Sequence, residues 1–138
     1  MPSTEIMRTS WTMAIVVFGL LLVQGCGEDT AFRNAVNEPA PDFSLPLFDG
    51  GKFSLGENKG KVVVINFFAS WCVSCGEETP MIGKVAKEYA PRAVVFVAIA
   101  VDDTESKARA FLQKAGLTIP AGLDKSGSIK DAYGIYGM

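Results

Sequence analysis

The sequence contains no histidine. That gap excludes a histidine general base, a cysteine–histidine nucleophile pair and any metal site built on imidazole. Cysteine is scarce too, with Cys26, Cys72 and Cys75 alone. A structural zinc site takes four ligands, and the pair Cys72 and Cys75 finds no second pair to complete one. Neither sign of charge dominates: 13 Lys and Arg face 15 Asp and Glu, for a formal net charge of −2. With no basic cluster, nucleic acid is not an expected partner. The longest apolar run, Met13 to Val23, has eleven residues. A helix needs about 20 to cross a bilayer comfortably. There is no internal repeat and no low-complexity tract.

What is present begins with an address. Polar residues up to Ser10, with Arg8 among them, precede that apolar run, and Gly25-Cys26-Gly27 follows it. The run has the length of the apolar region of a secretory signal. Residues 1–26 therefore read as a lipoprotein-type signal peptide, with Leu22-Val23-Gln24-Gly25-Cys26 resembling a bacterial lipobox and Cys26 as the lipidation site. The alternative is an uncut anchor with Cys26 a spare thiol. Either way the domain lies outside the cytoplasm, where disulfide chemistry is permitted. Residues 27–38 are polar and read as a flexible tether, and 39–138 as one domain.

Within that domain, Phe43 to Leu47 and Lys52 to Leu55 flank Asp49-Gly50-Gly51, a hairpin signal. Lys61 to Phe68 carries four consecutive β-branched residues and reads as a strand buried on both faces. A helix to Tyr89 follows, its apolar face written by Met81, Ile82, Val85, Ala86 and Tyr89, with a kink expected at Pro80. Ala93 to Val101 is a second buried strand. Asp103 or Thr104 caps a helix with core face Ala108, Phe111, Leu112 and Ala115, ended by Gly116. Ile119 to Leu123 is a short extended segment, and Ser128 to Tyr133 a turn or two of helix. Strand–helix–strand with apolar strands predicts an α/β fold with parallel pairing and a right-handed crossover.

Cys72 and Cys75 fall where the first buried strand hands over to its helix. Unpaired N–H groups and the partial positive charge of a helix start favour the thiolate, which is the attacking form of cysteine. Cys72 is thus the expected attacker. Cys75, one turn on and on the same face, is the expected resolving thiol, more buried and acting second. Glu78 stands three residues further and has two readings: a proton relay for Cys75, or a solvated acid that complements the helix dipole. Trp71 either packs beside the site or forms part of its substrate-facing surface. A purely structural disulfide is disfavoured, because so short a loop constrains the unfolded chain little. Two thiolates also suit Cu(I), which keeps a non-catalytic copper- or partner-binding module open as a reading. No cofactor or resident metal is expected.

The run Val63-Val64-Ile65-Asn66-Phe67-Phe68-Ala69-Ser70-Trp71-Cys72-Val73-Ser74-Cys75 resembles the active-site segment of the TlpA/ResA-like thioredoxins. Ala40-Pro41-Asp42-Phe43-Ser44-Leu45-Pro46 is similar to the start of that domain, a pattern shared with peroxiredoxins. Glu78-Thr79-Pro80, Ala100-Val101-Asp102-Asp103 and Asp131-Ala132-Tyr133-Gly134-Ile135 also fit. The resemblance implies a thioredoxin-like three-layer fold, with a central mixed sheet and an N-terminal β-hairpin. It implies an extracytoplasmic thiol–disulfide oxidoreductase that reduces protein disulfides, such as those of apocytochrome c, and is re-reduced by a membrane electron donor. It also makes Glu78 the active-site acid. Two departures stand out. Ser74 replaces the usual proline before the second cysteine. The chain also reaches Met138 before the cis-proline, two strands and final helix that the resemblance implies, so it reads as a piece of a longer protein with one edge of the Lys61–Phe68 strand open. A peroxiredoxin-like peroxidase is the alternative enzyme reading. It expects threonine three residues before the first cysteine, where this sequence has Ala69.

Overall fold

The computed structural model describes residues 38–138. The leader, the tether up to residue 37 and Cys26 lie outside the described residues. Among the described residues no helix is long and apolar enough to cross a membrane.

The chain first makes the expected hairpin, β1 (Ser44–Pro46) against β2 (Lys52–Ser54), antiparallel with Leu45 opposite Phe53. Alternation puts Leu45 and Phe53 inside while Ser44, Pro46 and Lys52 face out. The turn closes because Gly50 takes φ +90° and the Asp49 carboxylate accepts the Gly51 N–H at 2.9 Å.

Next comes β3 (Val63–Phe68), then α1 (Val73–Tyr89), β4 (Val95–Ala100), α2 (Glu105–Ala115), β5 (Ala121–Leu123) and a short α3 (Ser128–Ala132). Strands β3, β4 and β5 lie in that order, all parallel, with Phe68 beside Ala100 and Ala100 beside Leu123. The hairpin joins this sheet through an antiparallel bridge from Leu47 to Gly122, which gives the mixed character. Phe48 N–H donates to Ala121 O at 2.8 Å to seal the joint. Gly122 permits it: a Cβ there would clash with the Pro46 carbonyl oxygen and lie 2.8 Å from Leu45 Cγ.

Strand β4 forms the centre of the core. Its alternation sends Ala98 and Ala100 to the face covered by α1 and α2, where they pack with Phe68, Cys72, Cys75, Ala108 and Leu112. Val97 and Ile99 go to the other face, with Leu45, Phe53 and Ile129. The small alanines let the two helices approach the sheet closely, while the branched residues fill the side covered only by the hairpin and α3. Three layers result, as the resemblance implies.

Two expectations are corrected. Strand β3 is not buried on both faces: only Phe68 is buried, and Val64 is exposed. Among the described residues β3 pairs on one side only, so its β-branched run is half covered. Met81 does not face the core either, being 69% exposed. The inward stripe of α1 runs Cys75, Thr79, Ile82, Ala86, at steps of four, three and four, and Met81 falls off it. The alternative caps of α2 resolve to Thr104, whose hydroxyl accepts from Lys107 N–H, and Gly116 ends the helix at φ +67°. Asp103 is engaged elsewhere.

Candidate active site

Parallel pairing of β3 and β4 ends both strands at one level, and the segments that follow them meet. After β3 the chain turns over Ala69–Cys72, closed by Cys72 N–H donating to Ala69 O at 3.1 Å. After β4 it bends through Asp102 and Asp103, Asp102 taking the left-handed φ of 49°. The two segments are tied three times. Ser70 N–H donates to Asp103 Oδ2 at 2.6 Å and Ser70 Oγ to Asp103 Oδ1 at 3.0 Å. The Trp71 indole N–H donates to Asp102 O at 3.0 Å. Burial pushes the Asp103 carboxyl up, but the Ser70 and Thr104 hydrogen bonds and the charge of Lys107 outweigh it and hold it below its ordinary value.

This turn delivers Cys72 to the helix start. Cys72 is the N-cap of α1, extended at φ −80° and ψ 112°, and its sulfur accepts the Cys75 N–H at 3.2 Å. A sulfur here takes the place of the serine or aspartate oxygen that usually satisfies a free helix N–H. The Ser74 hydroxyl lies 3.4 Å from the same sulfur. Cys72 and Cys75 are joined in a disulfide, their Cα atoms 5.3 Å apart. Cys75 is not the more buried of the two, since the residues are 6% and 8% exposed. Both belong to one buried cluster with Phe68, Ala69 and Ala98. Beside them Trp71 is 55% and Val73 81% exposed, an apolar rim on the outer surface.

Glu78 lies exposed on α1, and among the described residues no hydrogen bond joins its carboxylate to either cysteine. Behind Cys75 sits Thr79 instead, fully buried, its hydroxyl donating to Cys75 O at 2.5 Å. That bond binds Cys75 to the helix just ahead of Pro80, which has no N–H to offer. The residues that sequence reasoning missed are therefore Ser70, Asp103 and Thr79. For the first two a signal existed: strands that pair in parallel place their following loops side by side.

Two clefts among the described residues lie away from the sulfurs. One of about 250 Å³ opens between the hairpin and the β5–α3 turn, and one of about 510 Å³ runs beside Val63 and Ile65 of β3. Neither is lined by Cys72 or Cys75. Among the described residues no cluster of His, Cys, Asp and Glu is suited to a metal ion.

The sequence profile of the AhpC/TSA family matches residues 36–138. Thioredoxin-like protein YneN of Bacillus subtilis is 45% identical over 92 residues, which are 65% of this chain and 54% of that protein. Thiol-disulfide oxidoreductase ResA of Oceanobacillus iheyensis is 35% identical over 127 residues, 89% of this chain and 65% of that protein. The chain thus spans between half and two thirds of the length of these two relatives. The crystal structure of a secreted Mycobacterium tuberculosis disulfide oxidoreductase, described as homologous to Escherichia coli DsbE, superposes with a TM-score of 0.61 at 30% identity, covering 66% of each chain.

Proposed function

The chain belongs to the AhpC/TSA family and is ResA-like within it, and from that premise we propose that it is a thiol–disulfide oxidoreductase acting on protein disulfides outside the cytoplasm. The observation that carries this reading is the start of α1, where one sulfur both caps the helix and is bonded to a second cysteine one turn on. A structural crosslink would gain little from so short a loop. A redox pair needs just this proximity.

In the reduced protein the Cys72 thiolate, facing the free N–H groups of the helix start, attacks one sulfur of a substrate disulfide. A mixed disulfide forms, and the first substrate thiolate leaves and takes up a proton. Cys75 gives up its proton and attacks the Cys72 sulfur, which expels the second substrate thiolate. The substrate has gained two electrons and the protein holds the Cys72–Cys75 disulfide. Glu78, exposed one turn beyond Cys75, receives the Cys75 proton through solvent. A dithiol of a membrane electron donor restores the reduced pair. The exposed rim of Trp71 and Val73 receives the substrate chain.

Residues 1–26 act in this reading as an export signal, with Cys26 the lipid anchor and 27–38 the tether. The mycobacterial relative is a secreted protein, which supports that location. Apocytochrome c is the substrate that the ResA resemblance suggests.

The test is reduction of insulin by the reduced protein. Cys72→Ser abolishes it, and Cys75→Ser accumulates a mixed disulfide through Cys72. Undiminished turnover in Cys72→Ser would refute the assignment.

A further inference from the structure

The loop after β4 carries a conformation that needs a reason. Asp102 sits at φ 49°, a region that favours glycine and that other residues occupy at a cost. It is held from two sides. Its carboxylate takes Lys130 Nζ of α3 at 2.8 and 2.9 Å. Its carbonyl takes the indole N–H of Trp71. The next residue, Asp103, grips Ser70 by backbone and side chain and also accepts Thr104 N–H at 2.7 Å. Strain that is fixed by several independent partners marks a place where the arrangement, rather than mere folding, is required.

What the arrangement fixes is the indole. Trp71 is 55% exposed, so packing alone does not set its orientation. The hydrogen bond to Asp102 does, and the turn that carries Trp71 is itself held by Asp103. Building on the oxidoreductase reading, we propose that Asp103 and Asp102 are positioning residues: they hold the Trp71 ring ready for the peptide chain around an incoming disulfide, so they promote exchange with protein disulfides and not the intrinsic reactivity of Cys72. The chemistry of this separation is simple. Sulfur exchange at Cys72 depends on the helix start, which α1 supplies by itself. Contact with a polypeptide depends on a ring that is already ordered when the partner arrives.

Asparagine at 103 offers one acceptor oxygen where the carboxylate uses two, and so it releases part of the grip on Ser70. Lys130→Met leaves the Ser70 contacts alone and frees the Asp102 carboxylate. The experiment takes the full 138-residue chain, reduced, and measures its rate with insulin and with the small aromatic disulfide DTNB for wild type, Asp103→Asn, Lys130→Met and the control Glu105→Gln. Each of the first two variants loses insulin reduction by about two- to tenfold, the factor for having to order one side chain on association. Their DTNB rates stay within about twofold of wild type by the same reasoning, and Glu105→Gln matches wild type on both. Equal loss on both substrates, or no loss on insulin, overturns the inference. Wild type that reduces neither substrate fails the oxidoreductase reading instead. The positioning claim is then still decided by acrylamide quenching of Trp71 in a Trp11→Phe background. It requires stronger quenching in Asp103→Asn and Lys130→Met, and unchanged quenching overturns it.

Discussion

Replacing Gly122 with alanine attacks the joint between hairpin and sheet. The added Cβ would clash with the Pro46 carbonyl oxygen and lie 2.8 Å from Leu45 Cγ and 3.0 Å from Leu45 Cδ2. The first obstacle is backbone, and Leu45 is 1% exposed in a filled core, so neither gives way cheaply. Overpacking of this kind costs about 1–3 kcal/mol. If β1 moves out to make room, the Phe48–Ala121 hydrogen bond and the Leu47–Gly122 bridge go with it, at about 1 kcal/mol more for a lost hydrogen bond. The sum of about 2–4 kcal/mol is a large share of a marginal total of about 5–15 kcal/mol. At about 4–8 °C per kcal/mol for a domain of this size, the melting temperature falls by roughly 8–32 °C. Thermal melts of the oxidised protein, followed by circular dichroism, measure it. A variant melting within about 3 °C of wild type, less than a single kcal/mol is worth, would show that the hairpin does not press on Gly122, and the closeness argued from that contact would be wrong.

Asp103→Asn should narrow its stability gap to wild type as the solution is acidified. The native carboxyl is held below its ordinary value, so its contribution is present above the unfolded value near 3.8 and disappears as pH falls through the lower folded one; urea melts at pH 6 and pH 2.5 compare the two. Tyr133→Phe removes the 2.8 Å hydrogen bond from the phenol to Pro41 O. A loss of about 1 kcal/mol is expected, with earlier proteolytic cutting near residues 38–42 as the readout. Because burial raises the Tyr133 phenol above 10.0, wild type also loses stability as pH climbs past 10.0, and the phenylalanine variant lacks that part of the loss. Glu78→Gln should slow mixed-disulfide resolution while leaving attack by Cys72 on DTNB unchanged; a resolution rate identical to wild type in stopped-flow measurements removes Glu78 from the proton path.

The elements were legible wherever one local rule decided them. Alternation with an Asp-Gly-Gly turn gave the hairpin, and the run Phe96 to Ala100 declared a strand buried on both faces, as it is. The cysteine pair declared its own position at a strand end. What stayed hidden depended on neighbours distant in sequence. Val62 to Ile65 carries the same signal as a central strand, yet β3 has one partner among the described residues, and composition does not count partners. The helical period alone admits both Met81 and Thr79 to the inner face. Thr79 won because its hydroxyl finds the Cys75 carbonyl and is satisfied in the interior, a bond that hydropathy cannot anticipate. The grip of Asp103 on Ser70 spans 33 positions and follows only from strand pairing.

In the proposed oxidoreductase the cap of α1 is an atom that gains and loses electrons. In the oxidised protein the Cys75 amide leans on a disulfide sulfur at 3.2 Å, a weak acceptor. In the reduced one it would face a thiolate, and hydrogen bonds to ionised acceptors are roughly twice as strong. The helix end is thereby a gauge of redox state. Its fraying tightens when the protein is charged with reducing equivalents and loosens when they are spent. Hydrogen–deuterium exchange at the Cys75 amide, slower in the reduced form, would read that gauge directly, and a partner that senses the stiffness of this first turn could tell a loaded molecule from an empty one without touching either sulfur.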